Sequence, residues 1–274
     1  DTRWRLSVAM PVGSVIDMAL VDGTGLFLAN SQPDSFGHAG LFDLHLSGGT
    51  YLVSLKGRTP DAAIYRLSAV EAETPVAGYE TEPNNIVERA HIWDVSELRY
   101  GRLPAPLDVD QFSIAVDERL AAQKWEIRLE SNSRLERSLC LRFVDSSIPA
   151  HCRTGRGTVT LADLTLPVGE YLVTVDGLPD PDERYTLMSR VTGVLESDVE
   201  TEPNDTFVLA APVGETLHVR GRFVGDEYDV YHLTVTGAPQ LWRIQVIGDG
   251  LRRLSYINPS GEREQLINAN GQRR

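Results

Sequence analysis

The chain has 274 residues, 42% of them hydrophobic, and a formal charge of −13. That length suits about two domains with ordinary cores. The acidity argues against a nucleic-acid partner, which needs a basic face, and there is no run of about eighteen apolar residues to span a membrane.

From the N-terminus, RWRLSVA puts Trp4 at the head of a strand and ALVDGTG runs a strand end into a turn near Asp22. In LFDLHLSGGTYLVSLKG (41–57), Tyr51, Val53 and Leu55 alternate onto one face, the period of a half-buried antiparallel strand. A Tyr-x-Leu strand start follows at Tyr65, and then Glu80-Thr81-Glu82-Pro83-Asn84 with Asn85 behind it. IVERAHIWDVSEL (86–98) is the main helical candidate. DVDQFSIAV (108–116) alternates at Phe112, Ile114 and Val116, and KWEIRLE sets Trp125, Ile127 and Leu129 against Glu126, Arg128 and Glu130.

RSLCLRFVDSSIPAHCRTG reads as a strand, a turn-rich loop and a second strand. It carries both cysteines, Cys140 and Cys152. A disulfide closing this hairpin would contribute about 3 kcal/mol by restricting the unfolded chain; the alternative is two unrelated buried thiols. LADLTLPVGEYLVTVDG (161–177) and Tyr185 come next, then Glu200-Thr201-Glu202-Pro203-Asn204 with Asp205. The tail holds EYDVYHLTV (227–235), an LWRIQVI strand with Trp242, Ile244 and Val246 on one face, and a YINPSG turn near Asn258.

Much of this list is one unit repeated. Leu44 and Leu164, Gly49 and Gly169, Tyr51 and Tyr171, Val53 and Val173, and Gly57 and Gly177 each differ by 120, as do the two ETEPN segments (200 − 80). Such a period is too long for a solenoid and suits tandem domains. The predicted organisation is the later half of a copy at 1–76, a complete copy at 77–192 and the earlier half of a copy at 193–274. The expected fold is all-β, tandem jelly-roll-like antiparallel β-sandwiches, since short alternating runs are punctuated by Gly, Pro, Asn and Asp. The chain is out of phase with its own domains, as a piece of a longer tandem array would be. The alternative is that the two half-copies complement each other and close a second unit.

The order E-x-E-P-N-[ND], a D-x-[FY] strand, a G-x-Y-L-V strand and a closing Tyr-x-Leu resembles the bacterial pre-peptidase C-terminal domain. This is a β-jelly-roll sandwich carried by many secreted enzymes and surface proteins and related to the collagen-binding domains of clostridial collagenases. The resemblance covers the middle copy and, in halves, nearly all of the chain. It implies a calcium site at Glu200, Glu202, Asn204, Asp205, Asp226 and Asp229. A second would lie at Glu80, Glu82, Asn84 and Asp110, with weaker fits at Asn85 and Asp108. Asn85 in place of an Asp removes a charge, so the second ETEPN is expected to hold a cation more tightly.

The physics of the segment agrees. Calcium takes six to eight oxygen ligands, Glu-x-Glu in an extended segment sets both carboxylates on one side, and Pro fixes the backbone beside them. Two bare carboxylates about 4 Å apart repel by about 4 kcal/mol at an effective dielectric near 20, and a cation removes that cost. The plainer alternative is an exposed linker of solvated acids in which Pro-Asn starts a turn.

His38, His45, His91, His151, His218 and His232 show no zinc-like pairing, and there is no nucleophile elbow or phosphate loop. The expected role is non-catalytic: a structural or adhesive region of an extracytoplasmic protein, its partners being sister domains or an extracellular protein or glycan. Such a compartment also favours the Cys140–Cys152 disulfide. Two further readings are a calcium-stabilised binding module and an accessory domain of a secreted hydrolase. Exposure of Tyr79, Trp93, Tyr100 and Tyr228 on one open face would favour binding; burial would favour scaffolding.

Overall fold

The computed structural model describes residues 3–11, 13–33, 37–59, 62–72, 77–144, 151–180, 182–196, 198–213, 218–223, 228–238, 241–248, 251–258 and 260–267. The chain divides into two compact units, Asp1–Leu233 and Thr234–Arg274. The fold is all-β, as expected.

The first unit opens with β1 (Arg3–Ala9), β2 (Val15–Asp22), β3 (Phe27–Ser31), β4 (His38–His45), β5 (Tyr51–Arg58) and β6 (Arg66–Ala72). They pair as two three-stranded sheets, in the orders β4-β1-β6 and β3-β2-β5, around a core that includes Val8, Met18, Leu20 and Leu44.

The middle copy follows as β7 (His91–Ile92), β8 (Arg99–Gly101), β9 (Asp110–Val116), the helical turn α1 (Glu118–Ala121), β10 (Gln123–Ser131), β11 (Arg137–Phe143), β12 (His151–Gly155), β13 (Thr158–Leu164), β14 (Gly169–Gly177) and β15 (Tyr185–Val194). These make two facing sheets, β13-β10-β15-β8 and β12-β11-β14-β9-β7. The residues that alternate inward, among them Phe112, Ile127, Leu129, Leu139, Val173 and Leu187, fill one core. Removing such surface from water is the main favourable contribution to folding.

The third segment contributes β16 (Ala211–Pro212) and β17 (Tyr231–His232), paired in parallel. The second unit contains the antiparallel hairpin of β18 (Leu254–Ile257) and β19 (Arg263–Ile267).

Two expectations change. The segment 86–98 is not a helix: a 3-10 turn, Val87–Arg89, leads straight into β7, which pairs with β9. The reason is Trp93. It packs edge-on against Phe112, its indole N–H donates to the Glu97 carbonyl at 2.9 Å, and its own backbone N–H donates to Ser113. Burying that ring and satisfying both donors outweighs a weak helical propensity. The LWRIQVI run is not a strand either. Trp242, Ile244 and Val246 are exposed, and among the described residues no sheet receives their apolar face.

One irregularity is built twice. β1 pairs β4 with a bulge between Trp4 and Leu6, and β10 pairs β13 with a bulge between Trp125 and Ile127. On the bulged strands Asp43 and Asp163 adopt φ of 52° and 54°, a left-handed conformation that Asp tolerates better than most residues. A bulge re-aims the local backbone and side chain, and here both Asp residues are turned toward the following copy.

The disulfide joins directly opposed residues of β11 and β12, with Cα atoms 4.1 Å apart. It closes a loop with a sequence separation of 12, so a Cys140→Ala/Cys152→Ala variant is expected to lose about 3 kcal/mol of stability. Urea denaturation checks this. An unchanged midpoint and slope would show that the cross-link restrains nothing the sheet does not already hold.

Candidate metal centres

Each ETEPN segment lies in the joint between consecutive copies. In the first joint Glu82 pairs with Leu44 in a parallel bridge. The Glu82 N–H donates to the Asp43 carbonyl at 3.1 Å, and the His45 N–H donates to the Glu82 carbonyl. In the second joint Glu202 bridges Leu164 in the same way. Its N–H donates to the Asp163 carbonyl at 2.9 Å and the Thr165 N–H donates to its carbonyl at 2.7 Å. Glu82–Pro83 and Glu202–Pro203 are both cis. The bulge aspartates are then held by side chains of the next copy. Arg102 donates to Asp43 through Nε at 2.6 Å and Nη2 at 2.8 Å, and Arg222 Nη2 donates to Asp163 at 2.6 Å.

With the backbone anchored at Glu82, the first cluster assembles from two directions. Glu80, Glu82 and Asn84 come from the ETEPN segment, and Asp108 and Asp110 from the start of β9; all five are buried. One oxygen from each of Glu80, Glu82 and Asp110 lies within 4.8 Å of the others. Part of the cluster is satisfied internally. The Asn84 N–H donates to Glu82 Oε2 at 2.8 Å, Asn84 Nδ2 to Glu80 Oε2 at 2.7 Å, the Arg102 N–H to Glu80 Oε1 at 3.0 Å, and the Tyr185 hydroxyl to Asp110 Oδ2 at 2.5 Å.

Other polar atoms of the cluster are not satisfied. Glu82 Oε1, Asn84 Oδ1, Asp108 Oδ2 and Asp110 Oδ1 are buried without a partner, which costs about 1–3 kcal/mol for a polar group and more for a charged one. Burial pushes the Glu82, Asp108 and Asp110 carboxyls well above their ordinary range, and neighbouring carboxylates add to the effect. Burial also raises Glu80. Asn85, half-buried, sits beside this cluster, its carbonyl accepting from Gln111 Nε2 at 2.7 Å.

The second cluster is a looser copy. Glu200, Glu202 and Asn204 are buried, Asp229 is half-buried, and oxygens of Glu200, Glu202 and Asp229 lie within 4.8 Å of one another. The Asn204 N–H donates to Glu202 Oε2 at 2.9 Å, the Arg222 N–H to Glu200 Oε1, and the Tyr231 hydroxyl to Glu200 Oε2 at 2.7 Å. Glu202 Oε1, Asn204 Oδ1 and Asp229 Oδ1 lack partners. Burial, then the Glu200 charge, pushes Asp229 up to about 7.

Asp205 lies beside this set: His151, Glu202 and Asp205 each bring a ligand atom within 4.8 Å of the others. Its Oδ2 is 2.7 Å from His151 Nδ1 on β12, with Arg153 4.0 Å from the other oxygen. Burial alone would raise its carboxyl, but His151 and Arg153 outweigh that and hold it below its usual value. Asp226 lies outside the described residues.

The donor set is carboxylate and amide oxygen, with no thiol, and it suits a hard cation rather than zinc or copper. The first cluster thus brings together Glu80, Glu82, Asn84, Asp108 and Asp110, with Asn85 beside it. The second brings together Glu200, Glu202, Asn204 and Asp229. The sequence reading missed Asp43, Arg102, Asp163 and Arg222. The signal was present: FDL and ADL, and GR at 101–102 and 221–222, recur at the same 120-residue offset. Tyr185, buried against Asp110, was read only as a strand start.

No known family matches the chain, and no curated protein does. Among solved structures, it is similar to the pre-peptidase C-terminal domain of collagenase from Bacillus anthracis. That match is 14% identical, covers 37% of this chain and 94% of that one, and has a TM-score of 0.30. It is also similar to the insecticidal delta-endotoxin Cry8Ea1 from Bacillus thuringiensis, at 8% identity over 66% of this chain and 43% of that one, with a TM-score of 0.22. Likenesses this distant say nothing about what the chain binds.

Arg102→Gln should loosen the first joint. It removes the two guanidinium bonds to Asp43 but keeps the backbone donor to Glu80. The expected loss is about 1–2 kcal/mol, seen in calorimetry as residues 3–72 melting ahead of the middle copy. One unshifted transition would mean that the ion pair does not hold the copies together.

Proposed function

We propose that this chain is a non-catalytic structural region of a secreted or surface protein, a tandem array of β-sandwiches whose joints are stiffened by calcium. The observation that carries the reading is the duplication. Twice, at the same point between consecutive copies, buried carboxylates converge with oxygens that no described residue satisfies. Solvated linker acids would not be buried, and a purely structural cluster would not leave the same positions open in both copies.

At the first joint Glu80, Glu82, Asp108 and Asp110 would supply carboxylate oxygens and Asn84 an amide oxygen. Calcium accepts that many protein ligands without strict octahedral geometry, whereas magnesium keeps most of its water. When bound, the ion supplies positive charge that offsets the mutual repulsion of these groups. The chain's own residues do the rest. Glu82 is pinned to β4 by its backbone, Tyr185 orients Asp110, and Arg102 orients Glu80 while gripping Asp43. A cation held there ties the segment joining two copies to the core of the second.

The first joint is the tighter of the two sites. It has four buried carboxylates, whereas at the second Asp229 is half-buried and Asp205 is engaged by His151. This reverses the ranking expected from Asn85 and Asp205 alone.

Scaffolding is favoured over a binding face by the aromatic residues. Trp93 is buried, and Tyr79 stacks on Tyr100 with centroids 5.4 Å apart. Arg3 of the preceding copy and Arg184 lie over the Tyr79 ring; of Tyr79, Trp93, Tyr100 and Tyr228, Tyr228 alone is exposed. The disulfide suits an oxidising, extracytoplasmic compartment. Sister copies are the partners that this geometry supports.

Calcium at about a hundredfold excess over its Kd should add about 2.7 kcal/mol per site, raising the melting temperature, and chelator should reverse it. Asp110→Asn keeps an acceptor for Tyr185 but removes one buried charge. In chelator this variant should melt at or above the wild type, and in calcium it should gain less. Titration calorimetry should count two ions per chain, falling to one in Asp110→Asn. Identical melts of the wild type with and without calcium would sink the proposal.

A further inference from the structure

The second joint contains a donor that the oxygen clusters lack. His151 brings a ring nitrogen to Glu202 and Asp205, and the three ligand atoms lie within 4.8 Å of one another. Each comes from a place that is fixed independently. His151 opens β12 opposite Leu141, one residue before the Cys152 that is cross-linked to β11. Glu202 is pinned to β13 by both of its backbone groups. Asp205 follows Asn204, whose carbonyl accepts from the Val230 N–H at 3.0 Å. No spacing in the sequence announces the set, because 54 residues separate His151 from Asp205.

Glu202 points to a ligand by itself. It is 6% exposed; Oε2 accepts from the Asn204 N–H at 2.9 Å, and Oε1 is buried without a partner. His151 is 4% exposed, and its Nδ1 stands 2.7 Å from Asp205 Oδ2. Two donors bound to one tetrahedral ion at about 2.0–2.2 Å stand about 3.3 Å apart, so a side-chain movement of about half an ångström turns this pair into two ligands. A small cavity lined by His151, Arg153, Asp163, Glu202 and Arg222 adjoins them. A water there would complete a four-coordinate site.

We infer that His151, Glu202 and Asp205 form a site for a zinc-class divalent ion, different in kind from the oxygen clusters. Imidazole suits zinc and its neighbours in the transition series, whereas calcium takes six to eight oxygens. Three donors are too few for calcium. The guanidiniums of Arg153 and Arg222 line the same cavity and oppose an ion held by charge alone. An ion that bonds to imidazole needs fewer donors and less net charge. The first joint is the internal comparison. The positions 120 residues earlier are Ser31 and Asn85, and the Ser31 hydroxyl accepts from the Gly40 N–H. Both differences at the second joint, His for Ser and Asp for Asn, add a ligand. The bound ion would replace the hydrogen bond between His151 on the middle copy and Asp205 on the segment after it, so that a metal joins the two. Glu202 is common to this triad and to the cluster of Glu200 and Asp229, but the inference does not rest on calcium filling that cluster.

Zinc titrated into the full, untagged chain tests this. Calcium-free buffer keeps the result independent of whether calcium binds the oxygen clusters. Calorimetry should count one tight zinc per chain. Of the six histidine rings, that of His151 alone should shift in NMR spectra at the first equivalent. The double variant His151→Ser/Asp205→Asn installs the pair that the first joint carries at these positions. It should weaken zinc binding by at least the roughly ten- to hundredfold that losing even an outer-shell partner costs. Near-UV circular dichroism in chelator checks that the variant keeps its fold; if it does not, the His151 ring shift in the wild type decides alone. A wild type that takes up no zinc, zinc bound equally well by the folded variant, or a shift of other histidine rings in place of His151 would each overturn the inference.

Discussion

The constraint on which the structure turns is the burial of like charges. Four carboxylates converge at the first joint, and burial and mutual repulsion both raise their proton affinity. Protein interiors accept such a group only when something compensates it. The hydrogen bonds from Asn84, Arg102 and Tyr185 compensate half of the oxygens; the other half define the shape of a hard cation's ligand set. The joint is thus under tension of its own making, which the proposed cation would relieve. The same burial keeps water from competing, so that relief is worth more here than at a surface.

That constraint is coupled to the arrangement of copies through the backbone. The bulge at Asp43 is a local twist in one sheet, yet it presents a carbonyl to Glu82 and a carboxylate to Arg102. Glu82 then carries its side chain into the cluster. A two-residue irregularity on β4 therefore connects the edge of one sandwich to the charge balance in the next, and β13 repeats it. Were the bulge absent, the residue at position 43 would keep to the ladder, and the ETEPN segment would lose the acceptor that holds it parallel to β4. If the proposed cation binds, flexibility of the joint and occupancy of the cluster would be two readings of one equilibrium.

Most of the architecture was legible because period-two alternation reports a half-buried strand directly, as at Trp125, Ile127 and Leu129. The repeat made the cluster legible as well, since Glu80, Glu82, Asn84 and Asp110 recur as a set. Two kinds of information were not local. Trp93 carries no sign in its own segment that Phe112 will receive it, so 86–98 looked helical. Asp205 is engaged by His151, more than fifty residues earlier, a partner that the segment it sits on does not reveal. The failure at Trp242 has the opposite cause. The pattern for a strand is there, but a strand needs a neighbour, and pattern alone does not supply one.

Asp205 also shows how the two joints have diverged. Its counterpart in the first joint is the neutral Asn85, and the residue 120 before His151 is Ser31, a buried hydroxyl that accepts from the Gly40 N–H. The His151–Asp205 pair at the second joint thus corresponds to Ser31 and Asn85 at the first, with both partners exchanged together. At the second joint the copies are held by a direct contact between His151 and Asp205 on opposite sides, and the oxygen cluster is left more open. At the first no such contact exists between these positions, and the cluster is closed and more highly charged. Under the proposed reading the two joints divide the same task differently, one leaning on protein groups and the other on the charge that its carboxylates would attract.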